Sequence, residues 1–252
     1  MRTLILMLAA ANLLAVPASY GWAHAANDQL KAAAARQTAK NYEFKGDVAR
    51  ARNEDASAVA WYSAATRYDN HNAVLFNKLG IVQLKAGEMD AARKSFSEAV
   101  KRDPGFVDAL NNLGAAYCLE RRYKPAVKYL KLSLALDETK ASAHLNLAEA
   151  WMGQKQLERA MTEYARALEL DADILSNADK EGVFAQISTP EQRALISFLI
   201  AKAYAKRGNM EGALDYLQRA KQAHYREMAS VYTDPVFAPL WKDPRLTSIV
   251  KP

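Results

Sequence analysis

Small residues recur along this chain at a constant interval of 34 positions, at Gly46, Gly80, Gly114 and Ala148. Three further columns keep the same register: alanine at Ala58, Ala92, Ala126 and Ala160; a large side chain at Tyr62, Phe96, Leu130 and Tyr164; and a closing aspartate at Asp69, Asp103, Asp137 and Asp171. One unit of this length cannot bury its own apolar face. A chain built in this way must therefore stack its units into an elongated repeat structure.

The spacing of packing residues inside each unit is helical. In the second unit the first helix carries them on one face, at Phe76, Leu79, Gly80 and Gln83, and the second helix carries them at Ala92, Phe96 and Ala99. Between the two helices lies Gly87, a residue able to take the left-handed conformation that ends a helix. The pattern predicts two antiparallel helices for each unit.

These residues resemble the motif of the tetratricopeptide-repeat family. The match is almost complete in the second unit, at Phe76, Leu79, Gly80, Ala92, Phe96, Ala99 and Pro104. The resemblance implies an all-α fold, a right-handed solenoid of antiparallel helix pairs with about five repeats plus capping helices. Four consecutive units are expected at 39–72, 73–106, 107–140 and 141–174. The first departs from the motif at Lys45, where an apolar residue is usual, and at Asn53, which replaces the turn glycine.

A fifth unit is displaced along the chain. It is expected at 194–227, where the columns are reproduced by Ala201, Tyr204, Gly208, Ala213, Leu217 and Ala220. The displacement implies an insertion at 175–193, at the end of which Thr189 and Pro190 begin a new helix. A helix that caps or extends the first unit is predicted at 26–38, and a capping segment is predicted at 228–252. In the second of these, Phe237, Leu240 and Trp241 are expected to cover the last repeat.

The first residues of the chain have the pattern of a secretory signal peptide. Arg2 precedes an almost wholly apolar run, Leu4 to Val16, and the small residues Ala23 and Ala25 favour cleavage after Ala25. The run is shorter than the roughly 18 residues needed to cross a bilayer. We therefore predict a signal peptide at 1–25, a periplasmic or secreted protein, and no membrane span in the mature chain.

Charge and cysteine content exclude other classes. Removal of Arg2 with the signal peptide leaves 33 basic against 28 acidic residues, a net charge of about +5. The charges are interspersed, which is typical of solvated helix faces and argues against a nucleic-acid partner. Because Cys118 is the only cysteine, no intramolecular disulfide can form, and we expect this residue to be a small buried apolar group.

In this family the usual binding surface is an inner wall formed by the first helix of each unit. The resemblance implies that the partner-binding groove consists of Asn77, Ile81, Leu84, Lys85, Asn111, Asn112, Ala115, Cys118, Leu145, Asn146, Glu149, Met152, Phe198 and Lys202. In the first unit the corresponding positions are Glu43, Asp47 and Arg50. One wall column reads Asp47, Ile81, Ala115, Glu149 and Lys202, so packing does not dictate its residue type. The alternative is an inner face that is only solvated.

The apolar members of this set predict a groove for an amphipathic helix or an extended apolar segment. Asn112 and Asn146 carry amides that can bond a peptide backbone, although Asn is also a common packing residue at this place in the repeat. A clamp for a terminal carboxylate is not expected, because Ser142 lies where such a clamp needs a basic residue.

The chain contains none of the usual motifs of catalysis or of cofactor binding. There is no HExxH, GxGxxG, GxxxxGK or GxSxG sequence, and the histidines and Cys118 form no zinc pattern. We therefore expect no enzyme, metal or cofactor, and we predict a scaffold for protein partners. The alternative is a structural or assembly factor of a cell-envelope complex, such as secretion or pilus machinery, acting as a homo-oligomer.

Overall fold

The structure is a computed structural model that describes residues 18–171, 174 and 190–250, with side chains at 26–171, 174, 190–191 and 193–250. Within these ranges every regular element is a helix. The predicted all-α class is confirmed. The predicted cleavage site and most of the predicted insertion lie outside the residues whose side chains are described.

Eleven α-helices and two 3₁₀ helices follow one another in the described part of the chain. They are α1 Ala18–Ala51, α2 Asp55–Tyr68, α3 Ala73–Lys85, α4 Met89–Arg102, α5 Val107–Leu119, α6 Tyr123–Leu136, α7 Ala141–Gly153, α8 Leu157–Leu170, α9 Pro190–Lys206, α10 Met210–Gln222, the 3₁₀ helices Met228–Tyr232 and Pro235–Leu240, and α11 Pro244–Val250.

Consecutive helices pack in pairs, and each pair packs against the next. The pairs are α1 with α2, α3 with α4, α5 with α6, α7 with α8, and α9 with α10. First helices of neighbouring pairs also meet, α3 with α5 and α5 with α7. This stacking is the predicted repeat solenoid. Residues 26–38 are helical and extend the first helix of the first pair without a break, as part of α1.

The column of small residues exists because a large side chain of the same repeat lies directly against it. A Cβ atom added to Gly46 would lie 2.7 Å from the Tyr62 ring, and one added to Gly80 would lie 2.6 Å from the Phe96 ring. Such contacts are too short for carbon atoms. The two helices of a pair therefore approach each other at these positions more closely than a side chain would allow.

The turn inside each pair needs one residue in the left-handed conformation. Gly87 and Gly208 take it with φ of 81° and 77°, and Asn53 takes it with φ of 58° in the first repeat. Arg121 and Lys155 hold the same conformation in the third and fourth repeats. Because a left-handed non-glycine residue costs about 1 kcal/mol, the packing of the flanking helices must impose this turn.

The C-terminal segment covers the fifth helix pair. Phe237 and Leu240 are buried against a cluster that includes Phe198 and Leu217. Trp241 departs from the expectation, because it is 42% exposed and its indole N–H donates a hydrogen bond to the backbone oxygen of Val231 at 2.9 Å. The last repeat is thus covered by Phe237 and Leu240 without the indole ring of Trp241.

Candidate functional site

Most of the predicted groove residues are buried between helices. Nine of the fourteen have a side chain that is almost inaccessible, namely Asn77, Asn111, Asn112, Ala115, Cys118, Leu145, Asn146, Glu149 and Phe198. A partner could touch these residues only at their edges. Their side chains pack between helices, and their part in partner binding stays a prediction.

The asparagine side chains join the first helices of consecutive repeats. The Asn112 amide donates to Oδ1 of Asn77 at 3.0 Å, and the Asn146 amide donates to Oδ1 of Asn111 at the same distance. A buried amide must find a partner, and here each pair supplies one across the repeat boundary. Of the two interpretations left open by the sequence, packing is the one that these bonds support.

At the fifth repeat the C-terminal segment packs against the predicted groove residues. The Phe198 ring lies 4.6 Å from that of Tyr225 and 5.7 Å from that of Phe237, measured between centroids. Lys202 forms an ion pair with Asp234 at 2.6 Å. Both predicted groove residues of this repeat therefore contact the C-terminal segment.

The accessible part of the wall lies in the first two repeats. Ile81 and Leu84 are half-buried and Lys85 is exposed, all on α3. On α1, Glu43 and Asp47 are half-buried and Arg50 is exposed. Phe44 of α1 is exposed and Lys78 of α3 is half-buried beside them. We call this group the N-terminal wall: Glu43, Phe44, Asp47, Arg50, Lys78, Ile81, Leu84 and Lys85. Met152, the remaining predicted groove residue, is half-buried on α7, apart from this group.

Phe44 and Lys78 were missed by the sequence analysis, although the column that they share with later repeats was visible in the sequence. They share a column with Asn112 and Asn146, whose amides reach the first helix of the preceding repeat. Lys78 makes the equivalent contact with Glu43. Within the described residues no helix pair packs on that side of α1, and Phe44 is 69% exposed.

A cluster of charges lies in the centre of the N-terminal wall. Nζ of Lys78 lies 2.7 Å from Oε1 of Glu43 and 2.9 Å from Oδ1 of Asp47. The Tyr62 hydroxyl donates to the same Asp47 oxygen at 2.6 Å. Burial alone would raise the pKa of Asp47, but the Tyr62 hydroxyl and the Lys78 ammonium outweigh it and lower this pKa. The Asp47 carboxylate is thus ionised at neutral pH.

The same column carries a different group in the fourth repeat. There the Tyr164 hydroxyl donates to the carboxylate of Glu149, and no described cation pairs with that carboxylate. Burial raises the pKa of Glu149 to about 7, and the Tyr164 hydrogen bond lowers it only in part. Burial, followed by the Glu149 charge, also raises the pKa of the nearby Cys118 thiol to about 12, which makes it an unreactive apolar group.

The first helix pair carries an aromatic cluster, in which Tyr68 is exposed and Tyr42 and Trp61 are half-buried. The Tyr42 ring stacks on Trp61 at 5.8 Å and on Tyr68 at 5.6 Å between centroids, and Nζ of Lys45 lies 4.8 Å from the Trp61 centroid. In later repeats the column of Lys45 holds leucine, such as Leu79, which packs into the preceding repeat. Lys45 is polar because no described repeat covers it.

The described part of the chain contains no cluster of side chains that could hold a metal ion. No described helix combines the length and apolar character that a membrane crossing requires.

Models of the tetratricopeptide repeat match this chain at residues 77–141, 141–174 and 197–224. Among curated proteins, the TPR repeat-containing protein YpiA of Bacillus subtilis is 30% identical over 128 residues, which are 51% of this chain and 29% of that protein. RNA polymerase II-associated protein 3 of Xenopus tropicalis is 22% identical over 186 residues, 62% of this chain and 28% of that protein. The chain thus spans less than a third of the length of either relative.

Solved structures share the fold. A crystal structure of MamA superposes with a TM-score of 0.54 at 20% identity, covering 74% of this chain and 92% of that one. A MamA fragment from Desulfovibrio magneticus RS-1 gives 0.54 at 18% identity, with 74% and 94% covered. YrrB gives 0.50 at 20% identity, with 76% and 89% covered. At this level of identity the likeness concerns the fold alone.

Proposed function

The chain belongs to the tetratricopeptide-repeat family, and from this premise we propose that it is an exported interaction scaffold that binds a peptide or helix of a partner protein on its N-terminal wall. The observation that carries the proposal is the contrast in accessibility along the inner face. Most predicted wall residues of the third to fifth repeats are buried by neighbouring helices or contact the C-terminal segment, with Met152 and Lys202 half-buried, whereas α1 and α3 carry a contiguous group of half-buried and exposed side chains.

The chemistry of the wall suits an amphipathic partner. Phe44, Ile81 and Leu84 offer apolar surface, and full burial of such a side chain contributes about 1.5–3 kcal/mol. Arg50 and Lys85 stand at its margins and can set the direction of a bound segment. YrrB, which shares the fold, is described as a TPR protein with an unusual peptide-binding site, which supports peptide binding as the mode of interaction.

The test compares two single leucine substitutions in the full chain. Leu84→Glu places a charge in the N-terminal wall, whereas Leu157→Glu makes the same change at an exposed leucine on α8. Each variant is used to capture partners from an envelope extract, and circular dichroism confirms that both remain helical. A partner that is retained by Leu157→Glu and lost by Leu84→Glu supports the N-terminal wall as the binding surface. Equal retention by both variants contradicts it.

Export is the second element of the proposal, and the sequence of residues 1–25 supports it. The test is to express the whole chain in a bacterial host, fractionate the cells and sequence the N-terminus of the recovered protein. We expect a periplasmic or secreted chain that begins at Ala26 and an Ala25→Pro variant that is not processed. An unprocessed wild-type chain in the cytoplasm would contradict export.

Self-assembly is a second candidate function, and the aromatic cluster of α1 and α2 favours it. Tyr68 is 48% exposed there, beside Tyr42 and Trp61. Exposed aromatic surface of this kind is typical of interfaces. Sedimentation of the wild-type chain should then show a defined oligomer that dissociates in a Tyr68→Glu variant. A monomer at every concentration would exclude this candidate.

A further inference from the structure

The outward face of α6 has an unusual charge pattern. Three lysines and two leucines are exposed on this helix: Lys124, Lys128, Lys131, Leu132 and Leu136. We call these five residues the α6 strip. The helix contains no Asp or Glu, whereas α2, α4, α8 and α10 each contain at least one. The α6 strip therefore carries positive charge that its own helix does not neutralise.

No carboxylate elsewhere in the described part of the chain neutralises it either. Lys124, Lys128 and Lys131 form no ion pair there, and the contacts of the last two are with the aromatic rings of Tyr129 and Trp151 at 5.4 Å from each centroid. Other cations of this region behave differently. Arg93, for example, binds Glu120 at 2.6 Å.

Comparison between repeats shows that packing does not require the α6 strip. The equivalent positions of α4 are Asp90, Lys94, Ser97, Glu98 and Arg102, and those of α8 are Glu158, Thr162, Ala165, Arg166 and Leu170. Three repeats with the same buried columns thus carry three different outward faces. The composition of the α6 strip is free to follow a partner.

The arrangement of the α6 strip has the dimensions of one helix. From Lys124 to Leu136 the strip is about 18 Å long at the usual helical rise. At 100° per residue the lysines occupy one edge of the outward face, while Leu132 and Leu136 occupy the adjoining edge. A helix lying along α6 could place an acidic edge on the lysines and an apolar edge on the leucines at the same time.

We propose that the α6 strip binds an acidic amphipathic helix of a protein partner, on the second helices of the solenoid and independently of the N-terminal wall. The charge explains the acidic partner, because unpaired lysines attract carboxylates and steer their approach. The lysine edge and the adjoining leucine edge can be contacted together by one helix, which favours a helical partner segment. An anionic membrane would also meet the outward faces of α4 and α8, where the exposed carboxylates of Asp90 and Glu158 would oppose it.

The test uses a synthetic helix-stabilised peptide of about 14 residues, with glutamates on one edge and leucines on the adjoining edge. Fluorescence anisotropy measures its binding to the full chain, to Lys124→Glu/Lys128→Glu/Lys131→Glu, and to the matched control Lys31→Glu/Lys94→Glu/Lys101→Glu. The control reverses three exposed lysines elsewhere and changes the net charge equally. We expect at least about tenfold weaker binding for the first variant and at most about twofold weaker binding for the control. Leu132→Ser/Leu136→Ser should also weaken binding.

Three results would overturn the proposal. One is equal loss in the two lysine variants, which would show that only net charge matters. Another is equal binding of a peptide with the same composition in scrambled order. The third is absence of peptide binding together with binding of phosphatidylglycerol vesicles through the same lysines, which would assign the α6 strip to a membrane surface.

Discussion

The first and fourth repeats each contain a tyrosine that is hydrogen-bonded to a carboxylate at equivalent positions. The pKa of the carboxylate is lowered in the first repeat and raised in the fourth. In both, a tyrosine of the second helix donates a hydrogen bond to a carboxylate of the first helix, Tyr62 to Asp47 and Tyr164 to Glu149. The middle repeats replace the pair with apolar residues, Ile81 and Phe96 or Ala115 and Leu130. The contact within the repeat is therefore the same in both cases, and the surroundings must produce the difference between the two pKa values.

Two features of the surroundings separate the pairs. The Asp47 side chain is 38% exposed and lies beside Lys78, whereas Glu149 is 7% exposed and has no described cation. The pKa of Asp47 is consequently lowered, while the pKa of Glu149 is raised to about 7 by burial. A column position in a repeat protein therefore does not by itself determine the charge state of its residue. Burial and a cation from the neighbouring repeat make the difference between these two carboxylates.

The largest expected effect comes from removing the hydroxyl of the buried pair. Tyr164→Phe leaves the Glu149 carboxylate without its donor, and at pH 8 this should cost about 2–3 kcal/mol of unfolding free energy. Tyr62→Phe should cost only about 1 kcal/mol, because Lys78 still neutralises Asp47. Urea unfolding of both variants measures the difference. Equal losses would show that the two pairs do not differ in the way described.

An effect of comparable size and opposite sign is expected for Glu149→Gln. Since the folded pKa of Glu149 lies above its ordinary value of 4.5, the folded state loses stability as pH rises from about 4.5 through about 7. The glutamine variant keeps the acceptor for Tyr164 without the charge. It should be more stable than wild type by about 3 kcal/mol at pH 8 and indistinguishable from it near pH 4. Thermal unfolding across this range is the measurement, and a pH-independent difference would contradict the assignment.

The smallest effect is expected for Asp47→Asn, which should destabilise the protein by about 0.5–1 kcal/mol at neutral pH. The folded pKa of Asp47 is lowered, so the stability that the carboxylate contributes is present above its ordinary pKa of 3.8 and is lost as pH falls below that value. Because the group is partly exposed, added salt should reduce the effect. An asparagine variant more stable than wild type at pH 7 would refute the favourable Asp47–Lys78 pair.

The periodicity of the sequence sufficed to predict the helix pairs, because the columns of similar residues mark contacts inside one repeat. The glycine that touches Tyr62 and the glycine that touches Phe96 are both visible as the same small-residue column. The candidate site was harder to predict. The predicted wall positions lie on the first helices, but the sequence does not show how close those helices come, and so it did not predict that Asn111, Ala115 and Glu149 are buried.

Phe44 is the opposite case, a wall residue whose exposure the sequence does not reveal. Its column holds Asn112 and Asn146, which are buried by contacts with the preceding repeat, and nothing in the residue types reveals that Phe44 itself is 69% exposed. Exposure in a solenoid depends on whether a neighbouring repeat covers the position. Only the stacked structure contains that information.

The amino-acid sequence by itself determined the repeat length, the helix pairs and their register, because these follow from local periodicity and from contacts within a unit of 34 residues. The tertiary structure decided which wall residues are sealed, which carboxylate is paired, and which face of α6 keeps unneutralised lysines. Each of these depends on side chains from different repeats or helices meeting in space. Such meetings are set by the curvature and closeness of the stack, quantities that no single repeat encodes.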